Sequence, residues 1–549
     1  MTLPPTAFPS ALRSIVSPAR RSEAILCWFL ILITLVLLVA ACRAGVVAGL
    51  DGYIGPHAGG QFLNGVCVVA TKWLTGVGNY VCLGDVSASM TGLGLAPSGP
   101  TWPGFLADRG FLDEALRLLF GRPHWAVPVT TTGPPYDGIM GIGWGMDNGY
   151  ADFVNLSFRI FGPAIKSLYR GYWLVCFVSY LLFIIVYWRR VVPLVLLAAT
   201  AVVQYFIFSS DIFWSAGQEW AASENARVHG PTGPRFLSSI CVVPALHYLC
   251  ATWKNEPLHW REAVLLGLQG IIICLALQQR TTVYWVVAAA LLLAALHRVF
   301  LNQHTDAVTK RRRTLILVEL LTVVVLCKAG VAITTHPGLN ARGFMTSHTL
   351  WGSVFYSMQF HPDWKSRYSA EFGHNEGDGV ADFAWKRYVA NHPKEQGKEI
   401  THAFIETMIR KAMVEFAMRD PKFVLEIYLF NNPRIIYEAA TTVITSMAKG
   451  VPVLVPILLI AFGLVLGVVS SRVDLYLLVA SLPLITVVCL VSSLPNWATL
   501  PTSSSLTDFY LLLLITCVMY VVALGAAGGC ILRRSLEKAN QDQGEPCCN

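Results

Sequence analysis

Three stretches of this 549-residue chain, Ala24–Cys42, Gly171–Trp188 and Val451–Ser471, hold no charged side chain. Each is close to the ~20 residues that a helix needs to cross the hydrocarbon core of a bilayer. Inside that layer a backbone must pair all of its own N–H and C=O groups, so only helices and closed barrels survive there. Runs of this length, without period-two alternation, specify helices. Composition agrees, since only 13% of residues are charged against about a quarter in a soluble domain. Soluble enzymes, secreted disulfide scaffolds and disordered proteins are excluded together. The excess of 41 Lys+Arg over 33 Asp+Glu lies largely in short loops, where it orients a membrane protein. No nucleic-acid partner is expected.

Apolar windows predict ten spans, at about 24–45, 171–188, 191–209, 236–253, 263–279, 281–299, 314–334, 451–471, 474–492 and 507–532. The fold class is therefore an all-α polytopic membrane protein with about ten transmembrane helices. With ten spans, Arg13, Arg20 and Arg21, Arg189 and Arg190, Lys254 and Arg261, Arg298 and Lys310–Arg313, Arg472, and Arg533, Arg534 and Lys538 all fall on one side. Because basic residues concentrate on the cytoplasmic side, both termini are expected in the cytoplasm, in the cell (inner) membrane of a bacterium. The chain then divides into a cytoplasmic tail (1–23), a first span (24–45), a large outer loop (46–170), spans two to seven (171–334), a second large outer loop (335–450), spans eight to ten (451–532) and a cytoplasmic tail (533–549). An alternative reading takes Arg20-Arg21 and the run ending at Cys42 as a lipoprotein signal. That run is longer than the 7–15 residues usual for such a signal, so a retained span is favoured.

The two outer loops make up over two-fifths of the chain, more than a plain channel or carrier needs on one face. The first carries a short amphipathic helix over 110–120, suited to lying in the membrane interface, and a second helical stretch over Asp152–Ile160. Its Cys67 and Cys82 either form a disulfide, if that side is oxidising, or are two unrelated thiols. The second loop reads as helical over Val380–Ala390, Glu399–Met418 and Pro421–Met447.

Several polar groups are candidates for chemistry. Asp51 sits just past the outer end of the first span, placed to act as a general base near the bilayer surface; it also suits a turn before Gly52. Asp147 and Asp378 lie in Gly-rich approaches to helices, and each is followed by the shared pattern Gly-x-Ala-Asp-Phe ending at Asp152-Phe153 and Asp382-Phe383. Asp152 and Asp382 read most simply as helix caps. Lys328 lies about six residues, or roughly 9 Å, inside the outer end of its span. There it either snorkels to the surface or binds an anion such as a lipid phosphate. Glu319, nine residues earlier, faces the other way and lies close to the inner arginines. Arg235, Arg280, His336 and Arg342 add basic groups around the outer rim, fitted to phosphate recognition or to ordinary interface anchoring. His361, His374 and Asp378 match no strong metal-ligand spacing.

Over residues 24 to about 450 this layout resembles the GT-C class of membrane glycosyltransferases, through its first span, its large outer loop, Asp51 at their junction, the 110–120 helix and Lys328. The segments Asn148–Trp188 and His361–Pro421 are also similar to parts of uncharacterised multi-spanning bacterial membrane proteins. The GT-C resemblance implies an inverting transferase that moves a sugar from a polyprenyl-phosphate donor to a lipid or envelope-glycan acceptor on the outer face. It implies Asp51 or Asp147 as the base, with Lys328, Arg280, Arg235, His336, Arg342 and Asp378 on the substrates. The implied partners are the lipid-linked sugar donor, the acceptor and membrane lipids. No cofactor is expected, with a divalent metal left open. The alternatives are a transporter or lipid flippase and a non-catalytic envelope-assembly protein.

Overall fold

The computed structural model describes residues 18–53, 56–75, 81–83, 113–117, 120, 139–140, 148–209, 232–254, 256–279, 283, 286–289, 292, 307–335, 350–372, 379–398, 400–498 and 507–542. Apart from a two-residue antiparallel pairing of Cys82–Leu83 with Ile139–Met140, regular structure there is helical. Among the described residues, seven helices are long and apolar enough to cross a membrane. They are Ser22–Val47 of α1 (Pro18–Val47), α4 (Ile165–Tyr187), α5 (Val191–Ser209), α8 (Trp260–Gln279), α9 (Ala307–Thr334), Asp474–Leu494 of α17 (Arg472–Ala498) and Phe509–Lys538 of α18 (Thr507–Asp542). The chain is a multi-pass membrane protein built from them. Two further expected spans coincide with shorter apolar helices, α7 (Val242–Trp253) and α16 (Leu454–Val469). The window at 281–299 lies mostly outside the described residues.

Packing explains the departures from a simple bundle. α7 is the last part of a broken element: the single turn α6 (Pro234–Leu237) and a 3₁₀ turn, Ser238–Cys241, precede it. The first loop contains an unexpected helix, α2 (Pro56–Thr75). It buries Phe62, Leu63, Val66 and Val69 against α3 (Asn148–Phe161). Its Cys67 is disulfide-bonded to Cys82, with Cα atoms 5.4 Å apart. Residues 113–117 and 120 of the expected 110–120 helix are helical, and Phe120 packs on Trp73 and Phe158.

α16 and α18 cross backbone to backbone. Gly463 and Gly467 of one face Gly525 and Gly529 of the other, and a Cβ on any of the four would lie 2.2–2.4 Å from a carbonyl oxygen across the interface. In lipid there is little hydrophobic drive between helices, so small residues that admit such close approach supply the packing instead.

The second loop has its own core. α10 (Leu350–Ser357), α11 (Trp364–Phe372), α12 (Gly379–Asn391), α13 (His402–Arg419) and α14 (Pro421–Glu426) bury Phe355, Trp364, Phe372, Trp385, Phe416 and Phe423 together. Thr401 caps α13 through Phe404 N–H, and Asp420 caps α14 through Phe423 N–H. A π-helical turn, Ile427–Asn431, joins α14 to α15 (Asn432–Gly450). Asn431 donates to the Phe360 carbonyl of the same loop, while Asn432 donates to the Trp497 carbonyl at the end of α17.

The helix-cap reading of Asp152 and Asp382 is corrected. The described residues of α3 start at Asn148 and those of α12 at Gly379, so neither acid precedes its helix, although Asp382 does lie in the first turn of α12. Asp382 instead accepts from Trp385 Nε1 and pairs with Lys386.

Candidate functional site

α1 ends where Gly49 adopts a left-handed conformation (φ +71°), a common helix stop that glycine takes without a Cβ clash. A short 3₁₀ turn, Leu50–Gly52, follows and aims Asp51 at the start of α4. There Lys166 Nζ lies 3.5 Å from Asp51 Oδ2. The carboxylate side chain is mostly buried at 17% exposure, whereas Lys166 is about half exposed at 53%. The start of α4 is held by the first loop, since Ile165 N–H donates to Asp113 Oδ1 at 3.2 Å. One turn further along α4, Tyr169 Oη donates to the Cys42 carbonyl of α1 at 2.8 Å. These bonds fix the junction that carries Asp51.

Beside this junction lies a second set of contacts. Thr232 Oγ1 donates to the Tyr53 carbonyl at 2.8 Å, and the buried Tyr150 Oη donates to the Thr232 carbonyl at 3.0 Å. Burial holds the Tyr150 phenol far above its ordinary range, so it stays a neutral donor. Tyr150 adjoins Gly149, where an added Cβ would lie 2.1 Å from Gln278 Cβ and 2.3 Å from its carbonyl carbon. Only glycine permits that contact between α3 and the end of α8. In α9 the Cys327 thiol donates to the Cys274 carbonyl of α8 at 3.5 Å.

Direct contacts therefore join Asp51 and Tyr53, Gly149 and Tyr150, Lys166, Thr232 and Gln278, which are far apart in sequence. They present the Asp51 carboxylate with the Lys166 ammonium beside it and the neutral hydroxyl donors Tyr150 and Thr232. Such a set can hold an anionic group while removing a proton from a hydroxyl.

Of the candidate residues, Asp51 and Lys328 are described in full. Lys328 is exposed on α9. The backbone of Arg235 lies in α6, three residues past Thr232, and its side chain is outside the described set. Asp147, Arg280, His336, Arg342 and Asp378 lie outside the described residues. In sequence, Asp147 precedes Gly149 by two positions and Arg280 follows Gln278 by two. His361, in the second loop, packs against Phe423 with ring centroids 4.5 Å apart and the planes tilted by 59°, and its Nδ1 accepts from Asp363 N–H; partial burial lowers its basicity. Among the described residues no group of three His, Cys, Asp or Glu side chains is placed to hold a metal.

Sequence reasoning missed Lys166, Tyr150 and Thr232. A signal for Lys166 was present. Lys166 and Arg170 stand just before the second span, a position that the ten-span reading puts on the outer side, where the positive-inside rule makes basic residues unusual. Tyr150 and Thr232 gave none, because their roles depend on contacts across 82 positions.

Comparisons with protein-family models, curated proteins and solved structures found no match to this chain.

Proposed function

We propose that this protein is a membrane glycosyltransferase that moves a sugar from a polyprenyl-phosphate donor to a lipid or envelope-glycan acceptor at the outer face of the inner membrane. The observation that carries the reading is the Asp51–Lys166 pair at the mouth of the first span. It supports the reading because a carboxylate able to act as a base and a cation able to bind phosphate stand side by side at the end of that span. In this scheme the Asp51 carboxylate takes the proton of the acceptor hydroxyl. The acceptor oxygen forms a new bond to the anomeric carbon, and the bond from that carbon to the phosphate oxygen breaks on the opposite face with inversion. Lys166, with Lys328, Arg235 and Arg280, stabilises the charge left on the lipid phosphate. The orientation fits the Cys67–Cys82 disulfide, since bridges persist on the oxidising side. Ten spans with both termini in the cytoplasm complete the proposed topology.

The test is sugar transfer by the purified protein in liposomes, using a panel of polyprenyl-phosphate sugars and inner-membrane lipid extract as acceptor. Asp51→Asn is expected to abolish transfer without lowering thermal stability. If Asp51→Asn and Asp147→Asn both turn over normally, this mechanism fails.

A transporter or flippase is the second reading. It draws on a buried polar layer in which Ser179 donates to Gln269 Oε1 and Gln269 Nε2 lies 3.2 Å from His247 Nδ1, together with the break before α7. Substrate movement across sealed liposomes, without any new glycosidic bond, distinguishes it. A non-catalytic assembly protein shows neither activity.

A further inference from the structure

The helices that close the second loop leave one face uncovered. Along α14, the π-turn and α15, Phe423 and Ile427 enter the second-loop core while Ile436, Val443 and Met447 enter the main core. Leu425, Leu429, Phe430 and Tyr437 point away from both, and Phe430 and Tyr437 are each 71% exposed. An isolated surface apolar residue is ordinary, but four large ones along one continuous element mark a surface that something covers.

Geometry suggests what covers it. The Pro421–Lys449 helices meet α16 at 93° across a short break. With α16 standing across the bilayer, the preceding helices run in the plane of its surface. The corner between them, Val453 and Leu454, is apolar and exposed. Lys422, Arg434 and Lys449 are exposed on the same element, and Glu426 and Glu438 are partnered by Lys422 and Arg434. An aromatic and aliphatic face bordered by basic residues is the composition of a helix lying at the headgroup level.

We propose that the 421–450 segment is a monotopic anchor that seats the second-loop domain on the leaflet from which α16 departs. Leu425, Leu429, Phe430 and Tyr437 enter the boundary between headgroups and acyl chains, and Lys422, Arg434 and Lys449 meet lipid phosphates. The inference stands apart from the transferase reading, because it needs only α16 in the bilayer.

The experiment uses the full-length protein in nanodiscs. p-Azidophenylalanine replaces Phe430 and is coupled to an environment-sensitive fluorophore, with the same label at Leu425 as a second site and at the exposed Lys394 of the loop domain as a reference. Lipids carrying a spin label near the headgroup should remove most of the fluorescence at positions 430 and 425 and little at 394. Aqueous iodide should act mainly at 394. Strong quenching by iodide at 430 and 425 overturns the proposal, since that face then meets water. Quenching by neither agent also overturns it, because the face is then covered by protein such as a second copy of the chain.

Discussion

The crossing of α16 and α18 yields a prediction in which two adjacent glycines behave oppositely. A Cβ at Gly529 would lie 2.2 Å from the Leu464 carbonyl oxygen and 3.0 Å from Gly467 Cα, whereas ordinary contact begins at 3.4 Å. The atoms in its way are backbone, which no side-chain rotation can clear. Gly529→Ala therefore parts the helices by about 1.2 Å (3.4 less 2.2). A gap of 0.5–1 Å already forfeits a quarter to a half of each dispersion well. Overpacking of this kind costs roughly 1–3 kcal/mol, partly offset by the ~1 kcal/mol better helix propensity of alanine. At Gly528 the nearest obstacle is the Leu464 Cδ2 methyl at 3.1 Å, the far end of a flexible side chain. Gly528→Ala should be neutral or stabilise by up to ~1 kcal/mol. The assay is unfolding in mixed micelles by titrated denaturing detergent, followed by far-UV circular dichroism. If Gly529→Ala is as well tolerated as Gly528→Ala, the α16–α18 crossing is not the close backbone contact described here.

Four further expectations follow from other parts of the fold. Arg312→Gln should lose about 3–5 kcal/mol, since it strips the Glu262 partner and the donors to the Ala251, Glu256 and Pro257 carbonyls; Arg311→Gln, one residue away and exposed, should stay within about 0.5 kcal/mol in the same unfolding assay. Opening the Cys67–Cys82 bridge by Cys82→Ser should cost about 3 kcal/mol, as expected for a closed loop of 15 residues, and intact-mass measurement after alkylation checks that the bridge is present in the parent. The hydrogen bonds of Lys398 and Lys411 hold Glu395 down from 4.5 to about 2, and those of Tyr368 and Phe423 lower Asp420. Carboxylates lowered in the folded state stabilise fully above their unfolded values, so the protection of α11–α14 amides against hydrogen exchange, taken relative to the intrinsic rate at each pH, should fall as pH drops from 4.5 towards 2; unchanged protection over that window refutes it. Lys166→Met should weaken turnover through a raised KM for a phosphate-linked donor while the Tm stays unchanged, because the pair it forms is about half exposed on the lysine side.

The membrane helices were legible because charge-free length leaves a chain in lipid few alternatives. α1, α4, α5, α8, α9, α17 and α18 all fall on windows read from hydrophobicity alone. The basic run at 310–313 shows where such reading stops. In sequence it is a topological signal, yet Arg312 and Arg313 are buried and donate to the Ala251 and Thr252 carbonyls at the end of α7. A run of charges in sequence carries no information about which members turn inward. α2 is hard to read from sequence because its start, Pro56-His-Ala-Gly-Gly, carries a proline and two glycines and reads as loop, although the apolar stretch Phe62–Leu74 lies within it. At the candidate site, Asp51 could be found from its place at the end of a span. The partner that matters, Lys166, is 115 positions away, and nothing local to Asp51 pointed to it.

The two neighbouring asparagines of the π-turn give the second-loop domain a mechanical property. Asn431 grips Phe360 within that domain, while Asn432 grips the last turn of α17 through Trp497. The bolt has one end in each body, and its two halves are joined by a single peptide bond. Any tilt of the domain over the membrane must therefore carry the end of α17 with it or break one of these bonds. A motion at the surface and a motion in the bundle are thus geared together at one point, and a one-residue insertion between Asn431 and Asn432 would disengage them.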